Sequence, residues 1–254
     1  MIKIELPNGV IKPYQSDVTP FEIAGDISMS LQKKALIAKV NDELWDMKRS
    51  ISKDCKLEIL TKENNETLEV LRHDAAHVLA EAVLDLYPDT QITIGPAIDN
   101  GFYYDFYRKI SFKPEDLTLI EEKMHEIVDR KETIFREEWD RVDALKFFEK
   151  NNEKFKIEIV NDIPKDQKLS FYRQGNFIDL CRGPHFQSTK YLGHSFKLTK
   201  LAGAYWRGNP DKEKLQRIYG TAFYSEKDLN NYLNMLKEAE KRDHRKLGKK
   251  LELF

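Results

Sequence analysis

Two histidines four residues apart, His73 and His77, and a cysteine and a histidine at the same spacing, Cys181 and His185, are the residues best suited to chemistry in this chain. On a helix the first pair projects from nearly one face and can bracket one small site. The second pair falls in Asp179-Leu180-Cys181-Arg182-Gly183-Pro184-His185, where a strand gives way to a Gly-Pro loop. Three imidazoles and a thiol are the donor set of a tetrahedral zinc site, and function concentrates on loops held by rigid elements. Taken singly, either pair also fits a plainer reading, a solvated histidine pair or a cysteine packing as a small hydrophobe. Together they weigh more, because four of the eight His and Cys residues fall into two pairs of equal spacing. A metalloprotease is disfavoured: Asp74 stands where H-E-x-x-H needs Glu, and the shorter carboxylate does not reach the same water.

Three further residues could join such a site. Phe155 to Val160 alternates and reads as a strand, with Lys156 and Glu158 on one face and Phe155, Ile157 and Ile159 on the other. If the Lys156 face lines a pocket, its ammonium could stabilise a developing oxyanion; otherwise it is a solvent-facing strand. Asp179 alternates with Ile178 and Leu180 and so points away from their apolar side. Tyr103 and Tyr104 point to opposite faces of one strand, so at most one is core and the other is free to meet a substrate. Phe135-Arg136-Glu137-Glu138 fits the F-R-x-E pattern of a class II synthetase motif, but four residues with one wildcard match easily by chance, and the reading is rejected. Neither G-x-x-x-x-G-K-[ST] nor G-x-G-x-x-G occurs, which argues against ATP or NAD binding by this chain.

The elements that must position these residues are legible from periodicity. Ile2, Ile4 and Leu6 alternate with polar residues ahead of Pro7-Asn8-Gly9, which predicts a β-hairpin. Thr19-Pro20-Phe21-Glu22 reads as a capping box opening a short helix, and Ala35 to Val40 and Lys56 to Leu60 read as strands. Hairpin, helix and strands within about sixty residues suit a ubiquitin-like β-grasp module that ends near Lys62-Glu63-Asn64-Asn65. Leu68, Leu71, Ala75, Leu79, Ala82 and Leu86 then mark an amphipathic helix ending before Pro88, and this helix carries His73 and His77. A hairpin at Asp99-Asn100-Gly101, a helix from Pro114 to about Arg130, and strands at Ile134–Trp139, Leu169–Arg173, Phe177–Cys181, Ser195–Leu201 and Leu215–Phe223 predict an α+β second domain. Ser225-x-x-Asp228 opens a last, mostly polar helix running toward Lys241–Lys246.

Composition bounds the rest. At 254 residues the chain suits one to two domains, taking roughly 150 residues for each. Forty-two Lys and Arg against forty-three Asp and Glu leave a net charge of −1, so any nucleic-acid surface must be local. Two distant cysteines, Cys55 and Cys181, exclude a disulfide scaffold, and neither a signal peptide nor a long apolar run occurs, which predicts a soluble cytoplasmic protein.

His73-Asp74-Ala75-Ala76-His77, Gly95-Pro96 leading to Asp99-Asn100-Gly101-Phe102-Tyr103-Tyr104-Asp105, and Asp179 through His185 together closely resemble the bacterial threonyl-tRNA synthetase family. The related editing domain of alanyl-tRNA synthetase shares the H-x3-H and C-x3-H signature, but the N-terminal start and the D-N-G-F-Y-Y-D run favour the threonyl family. Residues 1–62 resemble its TGS domain, 63–224 its editing domain, and 225–254 the linker helix toward a catalytic core. That core looks absent, and the chain stops after a basic run as though cut.

What the resemblance implies is hydrolytic proofreading of Ser-tRNA(Thr), with ligation, ATP and the parent enzyme's zinc left to the missing domain. A missing methyl gives only about 1–3 kcal/mol of discrimination, so a second, hydrolytic sieve is needed. The family's site residues fall on His73, His77, Tyr104, Lys156, Asp179, Cys181 and His185. His73 takes the ribose and proton-transfer role, Lys156 charge stabilisation, and Asp179 the substrate amino group, while His77, Tyr104, Cys181 and His185 shape the pocket. No metal is required on this reading, although the alanyl relatives use zinc on the same signature and His73, His77, Cys181 and His185 are the ligands if a metal binds. The expected partner is the acceptor end of tRNA(Thr), met in part by the six Lys and Arg against three acids in residues 239–254. Dimerisation looks to reside in the missing domain, and the chain alone is expected to be monomeric. A non-catalytic tRNA- or zinc-binding module is the alternative.

Overall fold

The computed structural model describes residues 1–242. The first sixty residues form β1 (Ile2–Glu5), β2 (Ile11–Tyr14), α1 (Pro20–Ile27), α2 (Met29–Lys34), β3 (Ile37–Val40), β4 (Glu43–Trp45) and β5 (Cys55–Leu60). Their sheet order is β2-β1-β5-β3-β4, with β1 and β5 parallel at the centre and the other pairs antiparallel. This is the ubiquitin-like β-grasp arrangement that the sequence led us to expect. Its core gathers Ile4, Ile23, Ala38, Met47 and Leu57. The capping box at α1 is present in both directions: Glu22 N–H donates to Thr19 Oγ1 at 3.3 Å, and Thr19 N–H donates to the Glu22 carboxylate at 2.8 Å.

The remainder comprises α3 (Asn65–Leu86), β6 (Gln91–Ile92), β7 (Ala97–Ile98), β8 (Gly101–Tyr107), α4 (Asp116–Arg130), β9 (Ile134–Trp139), α5 (Arg141–Lys150), α6 (Lys154–Asp162), β10 (Leu169–Gln174), β11 (Phe177–Leu180), β12 (Phe196–Tyr205), β13 (Lys214–Ala222) and α7 (Glu226–Lys241). Strands β12-β13-β8-β6 make one antiparallel sheet, and β11-β10-β9 make a second. Helix α3 lies between the larger sheet and α4, so Leu71, Ala75, Leu79 and Ala82 are wholly buried. The hydrophobic core around α3 also takes in Leu36, Ile37 and Leu60, and it therefore continues from the β-grasp sheet into the second unit. Residues 243–254, which include the basic run at Arg245-Lys246, lie outside the described residues. Among the described residues no helix is long and apolar enough to cross a membrane.

One expected strand is a helix. Phe155 to Val160 belongs to α6, not to a β-strand, so Lys156 and Glu158 do not share a face. The alternation of Phe155, Ile157 and Ile159 imitates a strand, but tertiary packing favours the helical period. Phe155 and Ile159 pack beside Trp206, Val160 packs with Phe148 and Phe171, and Ile163-Pro164 ends the helix. About two turns of helix send Lys156 inward, while Glu158 accepts the Trp206 indole N–H at 2.9 Å. The hairpin expected at Asp99-Asn100-Gly101 is formed by β7 and β8, with Ile98 opposite Gly101, whereas helices α2 and α5 and the short strands β4 and β6 have no distinct signal in the pattern.

Candidate functional site

Helix α3 presents His73 and His77 one turn apart, with ring centroids separated by 4.9 Å. Strand β11 ends at Leu180 and delivers Cys181; the chain then turns through Gly183-Pro184 and returns His185 to the same place. His185 lies 4.3 Å from the His77 ring and 4.6 Å from the His73 ring. Cys181 Sγ is 3.0 Å from His73 Nε2 and 3.3 Å from His185 Nε2, and it accepts the Gly183 N–H at 3.3 Å. The return depends on Gly183, whose φ of +72° suits glycine and whose missing Cβ would stand 1.9 Å from the Tyr172 hydroxyl. The two pairs that are 108 residues apart in sequence thus form one cluster, as their matched spacing predicted.

A second group stands on the adjoining wall. Tyr104, from β8, donates its hydroxyl to Asp179 Oδ2 at 2.7 Å, and Lys156 forms an ion pair with Asp179 Oδ1. Lys156 Nζ also lies 3.3 Å from the Tyr104 hydroxyl. Lys156 and Asp179 are only 2% and 3% exposed, so the carboxylate and the ammonium neutralise each other away from bulk water. Tyr104 is at once core and site residue, whereas Tyr103 turns outward under the Arg217 guanidinium, 3.7 Å from its ring. All seven expected site residues therefore converge. A cavity of about 440 Å³ opens between His73, His77, Lys156, Asp179, Cys181 and the Gly95-Pro96 loop.

Burial sets the charge states. Desolvation, reinforced for His73 by the neighbouring His185, pushes the pKa of His73 and of His185 down to about 4, and that of His77 also falls well below its ordinary value. The cluster is thus neutral near pH 7. The Cys181 thiol is pushed up to about 12, chiefly by burial, so it stays protonated without a metal.

Behind the cluster stand two further carboxylates, Asp74 and Asp46. His185 Nδ1 lies 2.7 Å from Asp74 Oδ1, and Phe186 N–H donates to Asp74 Oδ2 at 3.2 Å. Asp74, one helical position from His73, faces the rear of the site and orients His185. Asp46, from the β-grasp unit, accepts the His185 N–H at 2.9 Å and the Tyr172 hydroxyl at 2.8 Å. No local pattern could link Asp46 to a loop 139 positions away. The donor atoms of His73, His77, Cys181 and His185 all lie within 4.8 Å of one another, a set able to hold a metal ion. The Asp74 contact to Nδ1 leaves His185 Nε2 facing that centre, as a ligating histidine requires.

A β-grasp module joined to an α+β unit with this His/Cys cluster defines a class, and family comparisons give it a description. Residues 2–61 match the TGS domain, and residues 169–219 match the threonyl and alanyl tRNA synthetase second additional domain. Over its whole length the chain is a relative of the threonine–tRNA ligases. It is 56% identical over 254 residues to that of Rickettsia akari (strain Hartford), 58% over 255 residues to that of Paramagnetospirillum magneticum (strain ATCC 700264 / AMB-1), and 56% over 254 residues to that of Rickettsia bellii (strain OSU 85-389). In each case all of this chain is covered, and it spans 40% of the relative's length.

Proposed function

We propose that this chain hydrolyses the ester of Ser-tRNA(Thr), as the proofreading part of a threonine–tRNA ligase. The observation that carries the reading is the pairing, across one cavity, of a neutral imidazole cluster with the Lys156–Asp179–Tyr104 group. We divide the chain into a TGS unit at 1–62, an editing unit at 63–224 and a linker beyond 225. The bound partner is the acceptor end of tRNA(Thr), whose 3′-terminal seryl-adenosine enters the cavity.

Hydrolysis adds water to the ester carbonyl, breaks the bond to the ribose oxygen, and returns a proton to that oxygen. Asp179 receives the seryl ammonium, which competes with Lys156 for the carboxylate. Released toward the carbonyl, the Lys156 ammonium stabilises the oxyanion as the tetrahedral intermediate forms. Neutral His73 takes a proton from water and passes one to the ribose oxygen. His77, Cys181 and His185 close the wall against which water is held, and Cys181, as a thiol, is no nucleophile there. The cavity admits a serine side chain and excludes threonine by the bulk of its methyl group.

Zinc is the second reading, favoured by the convergence of four ligand atoms. Held by His73, His77, Cys181 and His185, it would supply Lewis-acid polarisation to the ester or to water. Deacylation of Ser-tRNA(Thr) and Thr-tRNA(Thr), each with and without chelator, tests both. Loss of serine alone, indifferent to chelator, supports the metal-free hydrolase; chelator sensitivity supports zinc. Turnover of neither ester by a folded chain favours a non-catalytic tRNA-binding module.

A further inference from the structure

A second cavity, of about 300 Å³, lies where the β-grasp unit meets β9 and β10, and it shares no lining residue with the cavity described above. Lys48 and Arg49 reach it from the segment between β4 and β5, and Arg136 reaches it from β9. Three cations around one small space need anions. Among the described residues Arg49 forms no ion pair; its guanidinium instead stacks 3.4 Å from the Trp45 ring centroid. Arg136 gives Nη1 to Glu138 at 2.9 Å, but its Nε is buried without a hydrogen-bond partner. Burial and then the Arg136 charge hold the Arg49 guanidinium below its usual range, so two like charges crowd the site. Asp46 lines the same cavity, yet its two oxygens are committed to Tyr172 and to the His185 N–H. Beside these cations Phe135 is 54% exposed, with Lys48 Nζ 5.9 Å from its ring centroid.

We infer that this junction cavity binds a phosphate-bearing nucleotide unit, its phosphate bridging Arg49 and Arg136 and its base stacked on Phe135. Guanidinium groups match phosphate oxygens in paired, charge-assisted hydrogen bonds, and an exposed ring among cations is the platform on which any base stacks. A phosphate between them would relieve the repulsion between the two guanidinium groups. The same chemistry is offered by a phosphodiester of RNA and by a free mononucleotide. His185 and Asp46 line this cavity too, so it adjoins the His/Cys cluster, but its three cations belong neither to that cluster nor to the other cavity, and its binding test does not depend on the deacylase reading.

Titration calorimetry of the full chain with inorganic phosphate, uridine 5′-monophosphate and a uridine hexanucleotide tests it. The wild type is expected to bind the mononucleotide saturably, and Arg49→Gln and Arg136→Gln each to weaken it about tenfold or more with unchanged melting temperature. Phe135→Ala is expected to weaken the nucleotide while sparing phosphate. Tighter hexanucleotide than mononucleotide binding assigns the site to RNA, and the reverse assigns it to a free nucleotide. Absence of saturable binding, or binding untouched by both arginine substitutions, overturns the proposal, whatever the outcome of the deacylation assay.

Discussion

Asp46 accepts the backbone N–H of His185 at 2.9 Å, although 139 residues separate them and they sit in different structural units. The other oxygen of the same carboxylate takes the Tyr172 hydroxyl, whose ring packs 4.2 Å from the His185 imidazole. The β-grasp unit is therefore more than a spacer. It supplies the hydrogen bonds that fix the loop from Cys181 to His185. Removing them strands two buried donors, at about 1–3 kcal/mol. Asp46→Ala is expected to lose that much in denaturant unfolding and to slow deacylation, while Asp46→Asn, which keeps an acceptor, retains most of both. Wild-type stability and rate in Asp46→Ala would show that this junction does not position His185.

The Lys156–Asp179 pair lets stability be separated from chemistry. Removing one partner of a buried pair leaves an uncompensated charge and costs about 3–5 kcal/mol, whereas replacing both by apolar residues can be neutral. Lys156→Ala and Asp179→Ala are each expected to destabilise the fold and to abolish Ser-tRNA(Thr) hydrolysis. The double variant Lys156→Met/Asp179→Leu should recover the stability and remain inactive. Recovery of activity along with stability would remove both groups from the mechanism.

Much of this site was legible because its residues sit on local patterns. An i, i+4 pair on an amphipathic helix fixed the mutual placement of His73 and His77, and a hairpin fixed the opposite faces of Tyr103 and Tyr104. Lys156 reaches the cavity from a helix where the sequence pattern reads as a strand. Alternating β-branched residues favour a strand locally, and only contacts with Phe148, Phe171 and Trp206 decide for a helix. No sequence pattern marks Asp46 or Asp74 as part of the site, because a buried carboxylate is recognisable only by its partners, and those partners are distant in sequence.

Gly95 provides a steric test of the cavity mouth. A Cβ there would stand 2.1 Å from the Tyr104 ring, whose hydroxyl holds Asp179. The ring cannot retreat, because it is fully buried and stacks on Phe106 at 5.1 Å. Gly95→Ala is therefore expected to displace the Gly95-Pro96 loop, cost about 1–3 kcal/mol in unfolding free energy, and impair deacylation. A variant with wild-type unfolding and wild-type rate would mean that the loop moves freely and does not define the mouth.

Glu81 predicts how stability should vary with pH. It is 3% exposed on α3, accepting Gln174 Nε2–H at 2.6 Å and Arg130 Nη1–H at 3.0 Å. Burial raises its pKa from 4.5 to about 7; the charges of Glu132 and Asp85 add to the rise, and Gln174 and Arg130 oppose it. Between those values the native state holds a proton that the unfolded chain has released. Stability from this group is thus full below about pH 4.5 and falls as pH rises toward 7, by on the order of 2–3 kcal/mol across the window. Glu81→Gln stays neutral throughout and keeps an acceptor for Gln174. Its unfolding free energy, measured in urea at pH 5 and at pH 7.5, should therefore gain on the wild type as pH increases. A difference constant with pH would show that Arg130 keeps Glu81 ionised in the native state over the whole window.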